Sequence, residues 1–143
     1  MKNKKKPLHY FLLLCLLVSL CVPVLADDNA APDKVVAPTL KKAVMCEGVQ
    51  DGLPVDQTII FDVSKASAYC WSEFDPVSAD GVVYHEWYRS GVLISKVKLA
   101  VHPPRWAAYS SLRLRQADTG PWYLNITDEN GKILKTLRFS ITE

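Results

Sequence analysis

From residue 40 to the end, apolar and polar positions alternate in short runs, and each run closes at a group of turn formers. The runs read LKKAVMCEGV (40–49), QTIIFDV (57–63), ASAYCWSEF (66–74), VVYHEWYR (82–89), VLISKVKLAV (92–101), RWAAYSSLRL (105–114), WYLNITD (122–128) and KILKTLRFSI (132–141). Side chains on a strand point alternately to its two faces, so a period of two marks a strand with one buried side. The segments GLP, DPVSADG, HPP and QADTGP hold the glycine, proline and aspartate that turns require. Ser90-Gly91 and Glu129-Asn130-Gly131 predict tight hairpins, because asparagine and glycine tolerate the positive φ such turns use. No long stretch carries a 3.6-residue apolar period. The prediction over 40–143 is all-β: an antiparallel β-sandwich of about eight short strands with immunoglobulin-like architecture. The Cys–Trp–Cys order of antibody domains is absent, since Trp71 and Trp87 both follow Cys70.

The same alternation sorts side chains by face. On 82–89, Val83, His85 and Trp87 share the side expected to meet the core, because indole carries the largest apolar area there. Tyr84, Glu86 and Tyr88 fall on the outer side. On 105–114, Trp106, Ala108, Ser110, Leu112 and Leu114 form an apolar face with two small members, leaving room for His85 or Trp87. Ser110 is then placed to hydrogen-bond a buried imidazole, which needs partners for both nitrogens. Trp87, Trp106, Ser110 and Trp122 are the expected core residues. The opposite face of 105–115 carries Arg105, Tyr109, Arg113 and Arg115. Three guanidinium groups around a phenol suit planar carboxylate or phosphate groups. These four and His85 are the candidate binding residues.

The first 39 residues change the picture of compartment and charge. Lys2, Lys4, Lys5 and Lys6 precede an uncharged apolar run to Val22, and Val24-Leu25-Ala26 supplies small residues after Pro23. This is the pattern of a signal peptide cleaved after about Ala26, with 27–39 as a flexible leader. The alternative is an uncleaved membrane anchor. The predicted location is periplasmic or secreted. The whole chain holds 17 Lys+Arg and 15 Asp+Glu. Without the four lysines of the signal, thirteen basic groups face fifteen acidic ones, so bulk charge offers nothing to nucleic acid. Cys15 and Cys21 leave with the signal, and Cys46 and Cys70 remain. In an oxidising compartment two cysteines predict one disulfide, a loop closure contributing about 3 kcal/mol.

Catalytic chemistry needs a second group beside His85: a nucleophile, a paired carboxylate or a metal. The sequence shows no metal-ligand spacing, no G-x-S-x-G elbow and no glycine-rich phosphate loop. No catalytic residue, metal or cofactor is expected.

The motifs CEGV…P, AYCW, HEWYRSG, RWAAYSS and GPWYLNITDENGKIL…F, in this order, resemble the bacterial family known as domain of unknown function 2914. The resemblance runs over about 40–143. It points to Cys46, Cys70, His85, Trp87, Arg105, Trp106, Ser110 and Trp122. This chain differs in carrying Pro103-Pro104 ahead of its Arg-Trp pair. The family implies no activity, and its members sometimes follow membrane segments. The expected function is that of an exported, non-catalytic binding or interaction module of the cell envelope. Its partner would be an envelope protein or an anionic polymer, with the membrane a partner only if the N-terminal segment stays uncleaved. The alternatives are an envelope hydrolase or other enzyme using His85, and a structural envelope protein.

Overall fold

The computed structural model describes residues 36–143. The predicted signal peptide and all but the last four residues of the predicted leader lie outside the described residues. Among those described, nine strands follow one another: β1 Leu40–Gln50, β2 Leu53–Gln57, β3 Ile60–Asp62, β4 Ser67–Phe74, β5 Gly81–Arg89, β6 Val92–Val101, β7 Trp106–Arg113, β8 Gly120–Asp128 and β9 Ile133–Thr142. The only helical segments among the described residues are single 3-10 turns at Val63–Lys65 and Gln116–Asp118.

The strands form two sheets, ordered β2-β1-β4-β7 and β3-β9-β8-β5-β6. All neighbours are antiparallel except β3 and β9, which run parallel. Both predicted hairpins form: Ser90 and Gly91 take φ of 49° and 78° between β5 and β6, and Gly131 takes 80° between β8 and β9. Asp128 closes the second turn by accepting from the amides of Asn130 and Lys132.

The stretch 57–63 departs from the single strand expected. Gln57 ends β2, which is the outer strand of a hairpin with β1, and Ile60 starts β3 in the other sheet. The chain changes sheets at Thr58, whose hydroxyl bonds both the amide and the carbonyl of Ile60. The β1–β2 turn sits at Asp51-Gly52, with φ of 51° and 75°. Pro54 is therefore inside β2, tolerated because β2 is an edge strand.

The two sheets share one core. Met45, Cys70 and Phe74 come from the first, Val83, Trp87, Leu124 and Ile126 from the second. Phe139 organises the aromatic end, with Trp87 edge-on at 5.8 Å and Trp122 stacked at 6.2 Å. The indole N–H of Trp122 donates to the Asp118 carbonyl at 2.7 Å.

The expected disulfide is absent: Cys46 and Cys70 are both free and buried. Register explains it. Directly opposed residues of a β-ladder share a face, and Cys46 opposes Tyr69 while Met45 opposes Cys70. Neighbours in sequence point to opposite faces. The two cysteines are thus on adjacent strands with their side chains on opposite sides of one sheet, a geometry no disulfide spans. Cys70 faces the core, and burial pushes its thiol well above the usual range. Burial also raises Cys46, so neither is an activated thiolate. Intact-mass measurement should give the same mass before and after reduction. Both thiols should alkylate only after denaturation. A mass two hydrogens lighter in the unreduced protein would contradict this arrangement.

A candidate binding cleft on the four-stranded sheet

The candidate residues separate into a buried set and an exposed set. His85 and Trp87 on β5 are fully buried, and Ser72 on β4 and Ser110 on β7 face them from the other sheet. Ser72 Oγ donates to the Ala108 carbonyl at 3.1 Å and lies 3.0 Å from His85 Nε2. Because its own proton is engaged, Ser72 accepts there, which places the imidazole proton on Nε2. The Trp87 indole N–H donates to Ser110 Oγ at 3.2 Å, and Ser110 lies 2.8 Å from His85 Nδ1. Ser110 therefore donates to Nδ1. Every donor and acceptor on this path is matched when the imidazole is neutral, and burial pushes the His85 pKa down to about 4.

This placement corrects the expectation that His85 belongs to a binding surface: its ring is enclosed by both sheets. It also has a consequence for stability. Between pH 6.5 and about 4 the unfolded chain binds a proton on His85 that the folded protein refuses. Stability is therefore complete above pH 6.5 and falls by about 3 kcal/mol as pH drops to 4. Urea denaturation across that range should show this loss in the native protein and not in His85→Gln. Equal slopes in both would contradict it. Ser110→Ala, which strips a partner from Trp87 and from His85, should cost about 2–4 kcal/mol at pH 7.

Trp122 is buried as expected, but Trp106 is 39% exposed. It has the parity of the core face, opposite Phe74, yet it is the first residue of β7, at the open end of the sheets. There it packs edge-on against His102, with centroids 4.6 Å apart.

Arg105, Tyr109 and Arg113 lie where the alternation put them, on the outer side of β7 or just before it, all exposed. Arg115 does not join them. The strand ends at Arg113, and Arg115 is clamped on Asp118 by two hydrogen bonds of 2.8 and 2.9 Å. That clamp holds the Asp118 carboxyl below its usual range.

Tyr69, Trp71 and Glu73 share this outer face, being opposed to Ser111, Tyr109 and Ala107. The β1–β2 turn lies over it: the Trp71 indole N–H donates to the Gly52 carbonyl at 2.8 Å. A cleft of about 260 Å³ is lined by Gly52, Leu53, Trp71, Glu73, Arg105 and Trp106. Glu73 Oε1 is 3.5 Å from Lys41 Nζ and 4.0 Å from Arg105 Nε, so its charge is balanced without being enclosed. Sequence reasoning missed Trp71, Glu73 and the overlying turn. The parity of AYCWSEF does place Tyr69, Trp71 and Glu73 together, but the turn position is a tertiary fact.

The family model described as a protein of unknown function, DUF2914, matches residues 80–141. This stretch belongs to the DUF2914 family. It covers β5 to β9 almost entirely and leaves β1 to β4 outside. The cleft therefore joins the two parts: Arg105 and Trp106 lie within the DUF2914 match, while Trp71, Glu73 and Leu53 precede it. No curated protein matches this chain. Within the DUF2914 segment, Trp87→Ala should cost about 3–5 kcal/mol and Trp106→Ala less than about 1.5 kcal/mol, as measured by chemical denaturation. Similar costs for the two would mean that Trp106 belongs to the core.

Proposed function

We propose that this protein is an exported, non-catalytic binding module of the bacterial cell envelope, built as a β-sandwich, and that its cleft receives a sugar unit of an acidic envelope glycan. The observation that carries this reading is that one cleft is lined by Trp71, Glu73, Arg105 and Trp106, with Trp106 39% exposed. A pyranose ring has an apolar C–H face that packs on indole and a hydroxyl edge that needs donors and acceptors. Glu73 accepts from hydroxyls, and Arg105 donates to hydroxyl or carboxylate oxygens. The cleft volume suits one ring rather than a whole ligand, so further units would run along the outer face over Tyr109 towards Arg113. Arg113, exposed at the far end of β7, favours a chain that carries carboxylates. The export part of the reading is supported by the basic start, the uncharged run and Ala26.

Oligogalacturonate, a uronic acid chain, is a direct probe, with galacto-oligosaccharide as its neutral counterpart. Indole fluorescence should change on titration with the acidic chain, and binding should weaken as salt rises. Trp106→Ala should reduce affinity at least tenfold while the melting temperature moves by only about 3 °C. Arg113→Glu should weaken the acidic chain and leave the neutral one unaffected. No fluorescence change or heat with either saccharide at millimolar concentration would overturn the glycan reading.

A further inference from the structure

A second concavity, independent of that cleft, lies where the edges of the two sheets come together. It is a groove of about 390 Å³ lined by Ala43, Met45, Ile59 and Leu137, with Arg138 at its border. Ile59 is 64% exposed, although it is one of the largest apolar side chains on this side. Two strands have vacant edges here. β2 pairs with β1 only from Cys46 to Gln50, and β3 pairs with β9 only from Ser140 to Thr142. The reason is the change of sheet at Thr58: the chain leaves the row beside β1 before that row is complete.

The direction of the vacant backbone groups can be read from their neighbours. The Met45 carbonyl accepts from the Thr58 amide at 3.1 Å, so the polar groups of Met45 face this edge. Backbone groups alternate along a strand, so those of Ala43 face it too, and those of Val44 face β4. On β9, the Ser140 amide donates to the Ile59 carbonyl at 2.9 Å, which turns Arg138 and Thr136 the same way.

We infer that this groove accepts an extended peptide strand of a partner protein, laid in the vacant row beside β1, with apolar side chains on Met45 and Leu137 and an acidic side chain near Arg138. Backbone chemistry selects the class of occupant. A strand pairs the Ala43 amide and carbonyl while burying apolar side chains, which is the mode of β-strand addition. An acyl chain would fill the same apolar floor but would leave those groups against hydrocarbon without partners. Charge selects the acid. Arg138 lines the groove, is exposed, and makes no ion pair among the described residues.

The probe is the synthetic peptide acetyl-Val-Thr-Val-Glu-Val-Thr-amide, followed by amide NMR and hydrogen exchange on the whole protein. In the free protein the Ala43 amide should exchange at least tenfold faster than that of Val44. Peptide should shift the Ala43 signal and slow its exchange at least tenfold. N-methylation of alternate peptide amides should abolish the effect. Ala43→Pro should fold with the Val44 amide still protected, because the lost N–H faces the vacant edge, and it should not bind peptide. Arg138→Glu should weaken this peptide at least fivefold and favour its lysine counterpart. Three results would overturn the inference: an unchanged Ala43 signal at millimolar peptide, equal binding by the N-methylated peptide, or equal binding by Ala43→Pro. A dimer at micromolar concentration that Ala43→Pro converts to monomer would also overturn it, by assigning the groove to a second copy of this chain.

Discussion

A directed path of hydrogen bonds crosses the core from Trp87 through Ser110, His85 and Ser72 to the Ala108 carbonyl. It is the constraint to which the two sheets are fitted. Apolar packing alone tolerates many small shifts of one sheet over another, since it has no preferred direction. Hydrogen bonds between buried groups do not tolerate them, because a lost partner costs about 1–3 kcal/mol. Shifting β5 by one residue would turn His85 out and Glu86 in. The Trp87 indole reaches the small side chain of Ser110 across the core, its N–H 3.2 Å from the hydroxyl oxygen.

The same constraint shapes the outer surface. A strand that commits Ser72 to the core commits Trp71 and Glu73 to the opposite side, and one that commits Ser110 inward sends Tyr109 outward. Trp71 and Glu73, which line the cleft, are thus on the reverse side of the core path. The β1–β2 turn completes the cleft through the bond from Trp71 to Gly52. The DUF2914 match begins after both β1 and β4, so His85 takes one hydrogen-bond partner, Ser110, from within the match and the other, Ser72, from outside it.

Alternation made much of this legible before the structure. It assigned His85, Trp87, Ala108 and Ser110 to one face of their strands, and their burial follows from it. The two Gly-containing hairpins were equally readable, because positive φ leaves a direct mark on sequence. What alternation cannot show is where a chain changes sheets. QTIIFDV looks continuous, yet Thr58 divides it between sheets, and the groove beside β1 exists for that reason. Pairing between strands is equally hidden. Cys46 and Cys70 lie in runs that do become neighbours, but their register sets them on opposite faces. Position along a strand decided the remaining cases. Trp106 has core parity but sits at an open end, and Arg115 falls beyond the end of β7, where Asp118 holds it.

The most decisive observation is of the imidazole itself. Long-range proton–nitrogen NMR of His85 separates the two ring nitrogens and follows each as pH changes. If the path runs as described, Nε2 carries the proton and Nδ1 stays bare from neutral pH to about 5, with charging only near pH 4. An imidazolium at pH 6, or a proton on Nδ1 at neutral pH, would mean that the path does not run in this direction and that the register of the two sheets needs another explanation.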